Sequence, residues 1–486
     1  MLGSRRALLG STGIKPLFSA NFVGLSALPA GLASSRAGNA MMFDSTGTLT
    51  YAPNNLLTYS NTFTNAAWTT FALNLTTGVS DPIGGTAATR IAATNNNAYV
   101  FATASSNTSI NFVSSIWVRR VAGTGAVKLQ TPNGTNTTIS VTSSWVQYYT
   151  SGPGASPSSV VALVVSTIGD VVDIYAGVLS AVTYETTPRP GDQVITTTAA
   201  YYGPRFDYNP ATLAAKGWLN EAAATNLGVL SSAPGSSATY FDLYKATVGT
   251  DGTLAPDAAS SAYYIADSDT TTDAHRINYK STAISFTSGT TYTASAYAKA
   301  SSLGYLQLSL GTASFPSNAS AYFNLSSGVV VSVGAGAVSA KVDTLSGGWY
   351  RLSLVATANA TTTASVFYNP SADGTTVSFV GVSGRKSVYV WGTQVNSGAH
   401  AGSYIPNLTA STVTRAADVP ASASPLTALL AAYPSVVELQ DEATGVISRA
   451  QYAAGAFTFP TGKWYRSMAV APTIPSNWLT VGAPYR

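Results

Sequence analysis

The chain has 486 residues, a formal net charge of +4, only 9% charged residues and no cysteine. Its basic residues are scattered, with Arg5-Arg6 and Arg119-Arg120 the longest runs, so the clustered footprint of a nucleic-acid binder is missing. Disulfides and thiolate metal sites are excluded, and with 45% hydrophobic residues the chain can bury sizeable cores, which argues against disorder.

The composition points to strands. Helix-rich chains draw on Glu and Lys, yet this one has four Glu and nine Lys. Thr, Val, Tyr and Phe instead fall in short runs cut by Gly, Pro, Asn and Ser, the pattern of strands joined by turns. The start, MLGSRRALLGSTGIKPLF, carries an apolar run shorter than the ~7–15 residues of a secretory signal, and residues 1–40 read as an extended anchoring arm. The apolar stretch VVALVVSTIGDVVDIY is broken by Gly169, Asp170 and Asp173, short of the ~18 residues a membrane helix needs.

From residue 41 the chain repeats itself. NLLTYSNTFTNAAWTTF at Asn55 is echoed by NLGVLSSAPGSSATYFDLY at Asn226, SSIWVRRVAG by TASAYAKASS, and SSWVQYYTSG by GGWYRLSLVA. VVDIYAGVLSAVTYE aligns with SVYVWGTQVNSGAHAGSYIP, placing Tyr175 opposite Trp391 and Tyr184 opposite Tyr404. Period-two alternation in these runs means sheets with one buried face. The reading is all-β: tandem antiparallel β-sandwiches of jelly-roll type, residues 41–198 and 199–418. Asn55 to Trp145 is 90 residues (145 − 55) and Asn226 to Trp349 is 123 (349 − 226), so the second copy is expected to have longer loops.

Each copy has a leader, MFDSTGTLTYAPNNLL and RFDYNPATLAAKGWLNEAAATNL, in which Asp44 and Asp207 are expected to cap turns. Residues 419–486 form a linker, a short helix over LTALLAAY ended by Pro434, and a small, mainly-β element that needs neighbours to complete a core.

Phe206, Asp207, Tyr208, Pro210, Leu213, Asn226 and Leu227, together with Trp391, Gly392, Gln394, Ser403, Tyr404, Ile405 and Pro406, resemble the signature of bacteriophage virion fibre and spike proteins. The resemblance spans roughly residues 40 to 418. It implies a sandwich like carbohydrate-binding modules, a place on the virion after assembly in the bacterial cytoplasm, and attachment to host-surface polysaccharide. Other virion proteins (capsid, portal or tail) would be its partners, with a homo-oligomer, a trimer above others, and neither nucleic-acid binding nor membrane insertion. The first copy departs from the pattern, having Tyr-Ala-Gly-Val where the second has Trp-Gly-Thr-Gln.

Such modules grip sugars with aromatic faces, while amide, carboxylate and guanidinium groups reach the hydroxyls. Trp145, Trp349 and Trp391 lie in alternating runs and are expected in cores, whereas Tyr264, Tyr305 and Tyr322 are the surface candidates for a glycan. Asp267, Asp269 and Asp273 in DSDTTTDAHR are the one candidate Ca2+ set, and no other cofactor is expected. An enzyme has little to work with: Glu185, Glu221, Glu438 and Glu442 are the only glutamates, His275 and His400 the only histidines, and no nucleophile motif accompanies them. Alternatives to the attachment role are a purely structural head-decoration or connector protein and a polysaccharide depolymerase.

Overall fold

A computed structural model describes residues 18–422, 435–441, 447–452 and 463–471. Apart from two single turns of 3-10 helix, the regular structure of these residues is strand, and the strands pair antiparallel. Contacts divide the chain into two compact units. One holds Ser26–Asn39 and Thr50–Arg205; the other holds Met1–Leu25, Ala40–Leu49 and Phe206–Arg486.

The first unit contains ten strands in two facing sheets: β1 (Thr69–Phe71), β2 (Leu73–Val79), β3 (Ala88–Ala93), β4 (Ala98–Ser105), β5 (Asn111–Ala122), β6 (Val127–Gln130), β7 (Asn136–Ile139), β8 (Val146–Pro153), β9 (Ser158–Val165) and β10 (Val171–Val182). Their orders are β8-β5-β10-β3-β2 and β7-β6-β9-β4-β1. Alternate residues such as Val100, Leu129, Leu163, Ile116 and Ile174 fill the space between the sheets.

In the second unit the sandwich strands are β11 (Phe241–Tyr244), β12 (Ala246–Gly249), β13 (Tyr263–Asp267), β14 (Arg276–Tyr279), β15 (Thr291–Ala300), β16 (Tyr305–Leu310), β17 (Ser320–Asn324), β18 (Val329–Val333), β19 (Ser339–Thr344), β20 (Trp349–Thr357), β21 (Val366–Ser371) and β22 (Lys386–Ser397). The orders β19-β20-β15-β22-β13-β12 and β18-β17-β16-β21-β14-β11 repeat those of the first copy strand for strand. Each sheet gains one edge strand, β18 or β19. The extra length of the second copy between Asn226 and Trp349 therefore includes two added strands, where sequence reading expected longer loops.

A side-chain lock recurs in both copies. The Asn226 amide donates to the carbonyls of Thr393 and Ile405 at 3.3 and 3.0 Å, and its oxygen accepts from Gly228 and Val395. Asn55 does the same with Gly177, Val194, Leu57 and Leu179. Both asparagines are fully buried, so each bond is made without competition from water. The lock spans a β-bulge, with register shifts between Ser115 and Trp117 on one side and Ser295 and Tyr297 on the other. Within it Gly392 has φ +60° and Ala176 has φ +50°. The same bonds correct one alignment. Ser60 accepts from Thr196 as Ser231 accepts from Asn407, so Gln193, one residue before Val194, stands in the place of Tyr404, and half-exposed Tyr184 does not.

Trp391 is buried, but outside the space between the sheets. It packs with Tyr297 and Tyr404 on the outer face of its sheet, with ring centroids 4.9–5.9 Å apart. Gln394 ties down the same segment by accepting from the Ile405 amide at 2.8 Å.

The two leaders behave differently. Asp44 caps its turn, accepting from the Thr46 and Thr48 amides. Asp207 does not cap its own turn: Asn209 accepts from Ala211 and Thr212, while Asp207 accepts from the amide of Phe43 at 2.8 Å. Gly47 also lies against Pro210 and Leu213, so Ala40–Leu49 folds onto the second leader rather than heading the first sandwich. Phe206 is buried and Tyr208 half-buried beside Asp207. Strand Ala215–Asn220 pairs with Lys463–Ala471, which also pairs with Ser435–Asp441 and with Phe18–Asn21. The C-terminal strand Lys463–Ala471 thus lies between other strands of this unit. The helix expected over LTALLAAY lies outside the described residues.

Candidate functional site

The outer face of the sheet β11-β14-β21-β16-β17-β18 follows from strand parity. Leu306, Leu308 and Leu310 of β16 point into the core, which turns Tyr305, Gln307 and Ser309 outward. By the same rule Ala321 and Phe323 leave Tyr322 and Asn324 outside, Val366 and Tyr368 leave Phe367 and Asn369, and Ile277 and Tyr279 leave Arg276 and Asn278. Tyr244 lies outside on β11.

Register brings these side chains into rows. Gln307 stands between Asn369 and Tyr322, and Tyr305 between Ser371 and Asn324. The Asn369 amide donates to Gln307 Oε1 at 2.9 Å, which orients both groups. The Arg276 guanidinium lies 4.7 Å from the ring of its cross-strand partner Tyr244 and 5.2 Å from the ring of Phe367. Its Nε finds no hydrogen-bond partner among the described residues.

A tight loop props one end of this face. Asp373 accepts from the amides of Thr375 and Thr376 at 2.8 and 2.9 Å, and these bonds hold its carboxyl down at about 2. Gly374, at φ +75°, lies so close to the Tyr305 ring that a Cβ would sit 2.7 Å from it. Burial, and then the charge of Asp373, raises the Tyr322 phenol above its ordinary value, so it stays a neutral donor. The face thus combines aromatic rings with amide and guanidinium donors in one shallow plane.

Tyr305 and Tyr322 share this face; Tyr264 does not. Tyr264 is on β13 of the other sheet, beside Tyr389 and Gly249, with Lys386 Nζ 4.8 Å from its ring centroid. Lys386 and the Tyr389 hydroxyl both bind Asp251, and the Lys386 bond foremost drives the Asp251 carboxyl far below its usual range. Tyr244, Arg276, Gln307, Phe367 and Asn369 were not singled out from sequence. The alternation in YLQLSL and VFYNPS carries the signal for the last three.

The three aspartates considered for Ca2+ do not converge. Asp267 is buried against Arg385 at 2.7 Å and accepts from Ser387 and Val382. Asp269 closes its own turn on Thr271, and Asp273 pairs with Lys245 at 2.9 Å and accepts from the Tyr244 hydroxyl. Among the described residues no three His, Cys, Asp or Glu side chains gather as a metal site would require. Of the glutamates, Glu185 pairs with Arg189 and Glu221 accepts from the amide and hydroxyl of Ser403, while the side chains of Glu438 and Glu442 lie outside the described residues. Both ring nitrogens of buried His275 face carbonyls, those of Lys245 and Thr271.

No family model and no curated protein matches this chain. Among solved structures it is similar to the tandem CBM22-1–CBM22-2 domain of Paenibacillus barcinonensis Xyn10C, at 12% identity over 75% of this chain and 100% of that one, with a TM-score of 0.23. It is also similar to the enzymatically active domain of bacteriophage CBA120 tailspike protein 4, at 15% identity over 26% of this chain and 21% of that one, with a TM-score of 0.21.

Proposed function

We propose that this chain is a virion fibre or spike protein whose second sandwich attaches to host-surface glycan through the outer face built by Tyr244, Arg276, Tyr305, Gln307, Tyr322, Phe367 and Asn369. The observation that carries this reading is the row of aromatic and hydrogen-bonding side chains across β14, β21, β16 and β17. Pyranose rings present apolar C–H faces and a rim of hydroxyls, and this face answers both at once. The virion role is supported by the signature residues from Phe206 to Asn226 and from Trp391 to Tyr404. In the proposed setting other virion subunits hold the chain, and a trimer would multiply a weak single-site affinity.

A second reading, packing against other virion subunits, is favoured at the first sandwich. There Phe71 stacks on Tyr99 at 5.3 Å and Tyr99 meets Phe101 at 5.9 Å, giving the corresponding sheet an apolar strip.

The test is titration of the whole chain against neutral oligosaccharides from a glycan array. Tyr305→Ala and Tyr322→Ala are each expected to weaken binding about tenfold while the fold melts normally. Array binding untouched by either change would assign the glycan elsewhere, and no array signal at all would favour the packing role.

A further inference from the structure

A cleft of about 590 Å3 lies on the opposite side of the second sandwich, over the outer face of β15, β19 and β20. Its walls come from the second leader (Asp207, Lys216, Glu221), β19 (Lys341, Asp343) and the segment around Ser403. At its base Tyr297 and Arg351 face each other in register, the guanidinium 5.4 Å from the ring centroid.

Both groups are unusually placed. Tyr297 is fully buried and Arg351 is 8% exposed, yet neither the Tyr297 hydroxyl nor Arg351 Nε has a hydrogen-bond partner among the described residues. Arg351 makes one long contact, 3.4 Å to Ser295 Oγ. The other charges are matched: Lys216 with Asp207, Lys341 with Asp343, and Glu221 with Arg415. Arg351 alone among the cleft's cations has no ion pair among the described residues. A buried, unpaired guanidinium is costly, and buried polar groups left without protein partners point to a ligand.

From this geometry we infer that the cleft binds a saccharide unit bearing one carboxylate, a hexuronate, with the carboxylate on Arg351 and the Tyr297 hydroxyl. A single unpaired guanidinium matches a single negative charge, and its fork suits a carboxylate. Burial raises the Tyr297 phenol, so it remains a donor. The walls add what sugar hydroxyls need and a bare anion does not use: carboxylate acceptors in Asp207 and Asp343, the amide of Asn209, and apolar surface from Leu219. The volume is within the range of about 300–1,000 Å3 typical of small-ligand sites. This site is separate from the face proposed above, and either can fail without the other.

The experiment is calorimetric titration of the whole chain with trigalacturonate, with its uncharged methyl ester, and with a glutamate-rich peptide. Trigalacturonate is expected to bind at least about tenfold more tightly than its ester, and the peptide not measurably. Tyr297→Phe, which removes one oxygen, should weaken the uronide severalfold, and Arg351→Lys should do so more strongly. If Arg351→Lys does not fold, Tyr297→Phe decides. Binding that persists in a chain carrying Tyr305→Ala and Tyr322→Ala supports the cleft; binding lost in that chain overturns it. So would equal affinity for acid and ester, tighter binding of the peptide, or no binding of the uronide.

Discussion

The two sandwiches share a skeleton and differ in what it carries. Strand order, the β-bulge and the buried asparagine lock agree between copies. The outer faces of the corresponding sheets do not. Where β14 of the second copy presents Arg276 and Asn278, β4 of the first presents Tyr99 and Phe101, and the neighbouring β9 adds Ala162 and Val164. The long polar side chains of this first-copy sheet, Lys128 and Gln130, are both on β6, the counterpart of β16, and no arginine lies in its strands. Residues that close the fold are held by many bonds at once, whereas outward positions answer only to what they touch. Duplication therefore preserves the lock and frees the face.

The largest expected effect tests the shared skeleton. Asn226→Ala removes four buried hydrogen bonds and leaves two backbone amides unpaired, which should cost about 3 kcal/mol. Asn55→Ala should cost the first sandwich a similar amount. Urea unfolding of each variant checks this, and a large loss in one copy with none in the other would break the equivalence. Next comes the bulge. Gly392→Ala places a Cβ 2.7 Å from the Tyr297 ring at φ +60°, for an expected loss of about 2 kcal/mol. Ala176 already occupies the matching place at φ +50°, so Ala176→Gly should shift the melting temperature little.

The faces are sharpened by smaller changes. Arg276→Met should weaken glycan binding about tenfold with stability altered by less than about 1 kcal/mol, as calorimetry and thermal melting would show. Tyr99→Ala in the first copy should leave that binding intact. The smallest effect concerns acid. The Asp373 carboxyl is depressed from 3.8 to about 2 in the folded protein, so its contribution is complete above pH 3.8 and fades as pH falls through about 2. The loop beside Tyr305 should loosen over that window, visible as faster amide exchange at Thr375 and Thr376. Asp373→Asn should flatten the pH dependence.

Sequence made the architecture legible because alternation and repetition are local. The tandem all-β sandwiches, the pairing of Asn55 with Asn226 and of Tyr175 with Trp391, and the outward placing of Tyr305 and Tyr322 all follow from it. It failed where three-dimensional partners decide. Parity places Tyr264 and Tyr305 at the surface but does not say which sheet each joins, and the structure puts them on opposite faces. Tyr184 was set against Tyr404 by residue type, while the hydrogen bonds choose Gln193. Asp207 looked like a turn cap because its neighbours are turn residues, yet its partner Phe43 is 164 positions away. Three aspartates close in sequence suggested a cation, but each had found its own partner in Arg385, Thr271 or Lys245.

The most direct measurement is a crystal structure of the whole chain with a neutral oligosaccharide taken from its own glycan-array hits. Glycan attachment at the proposed face predicts sugar density over Tyr305 and Tyr322, with hydroxyls within hydrogen-bond reach of Gln307, Asn369 or Arg276. Density on the first sandwich, or over Tyr264 on the opposite sheet, would contradict it.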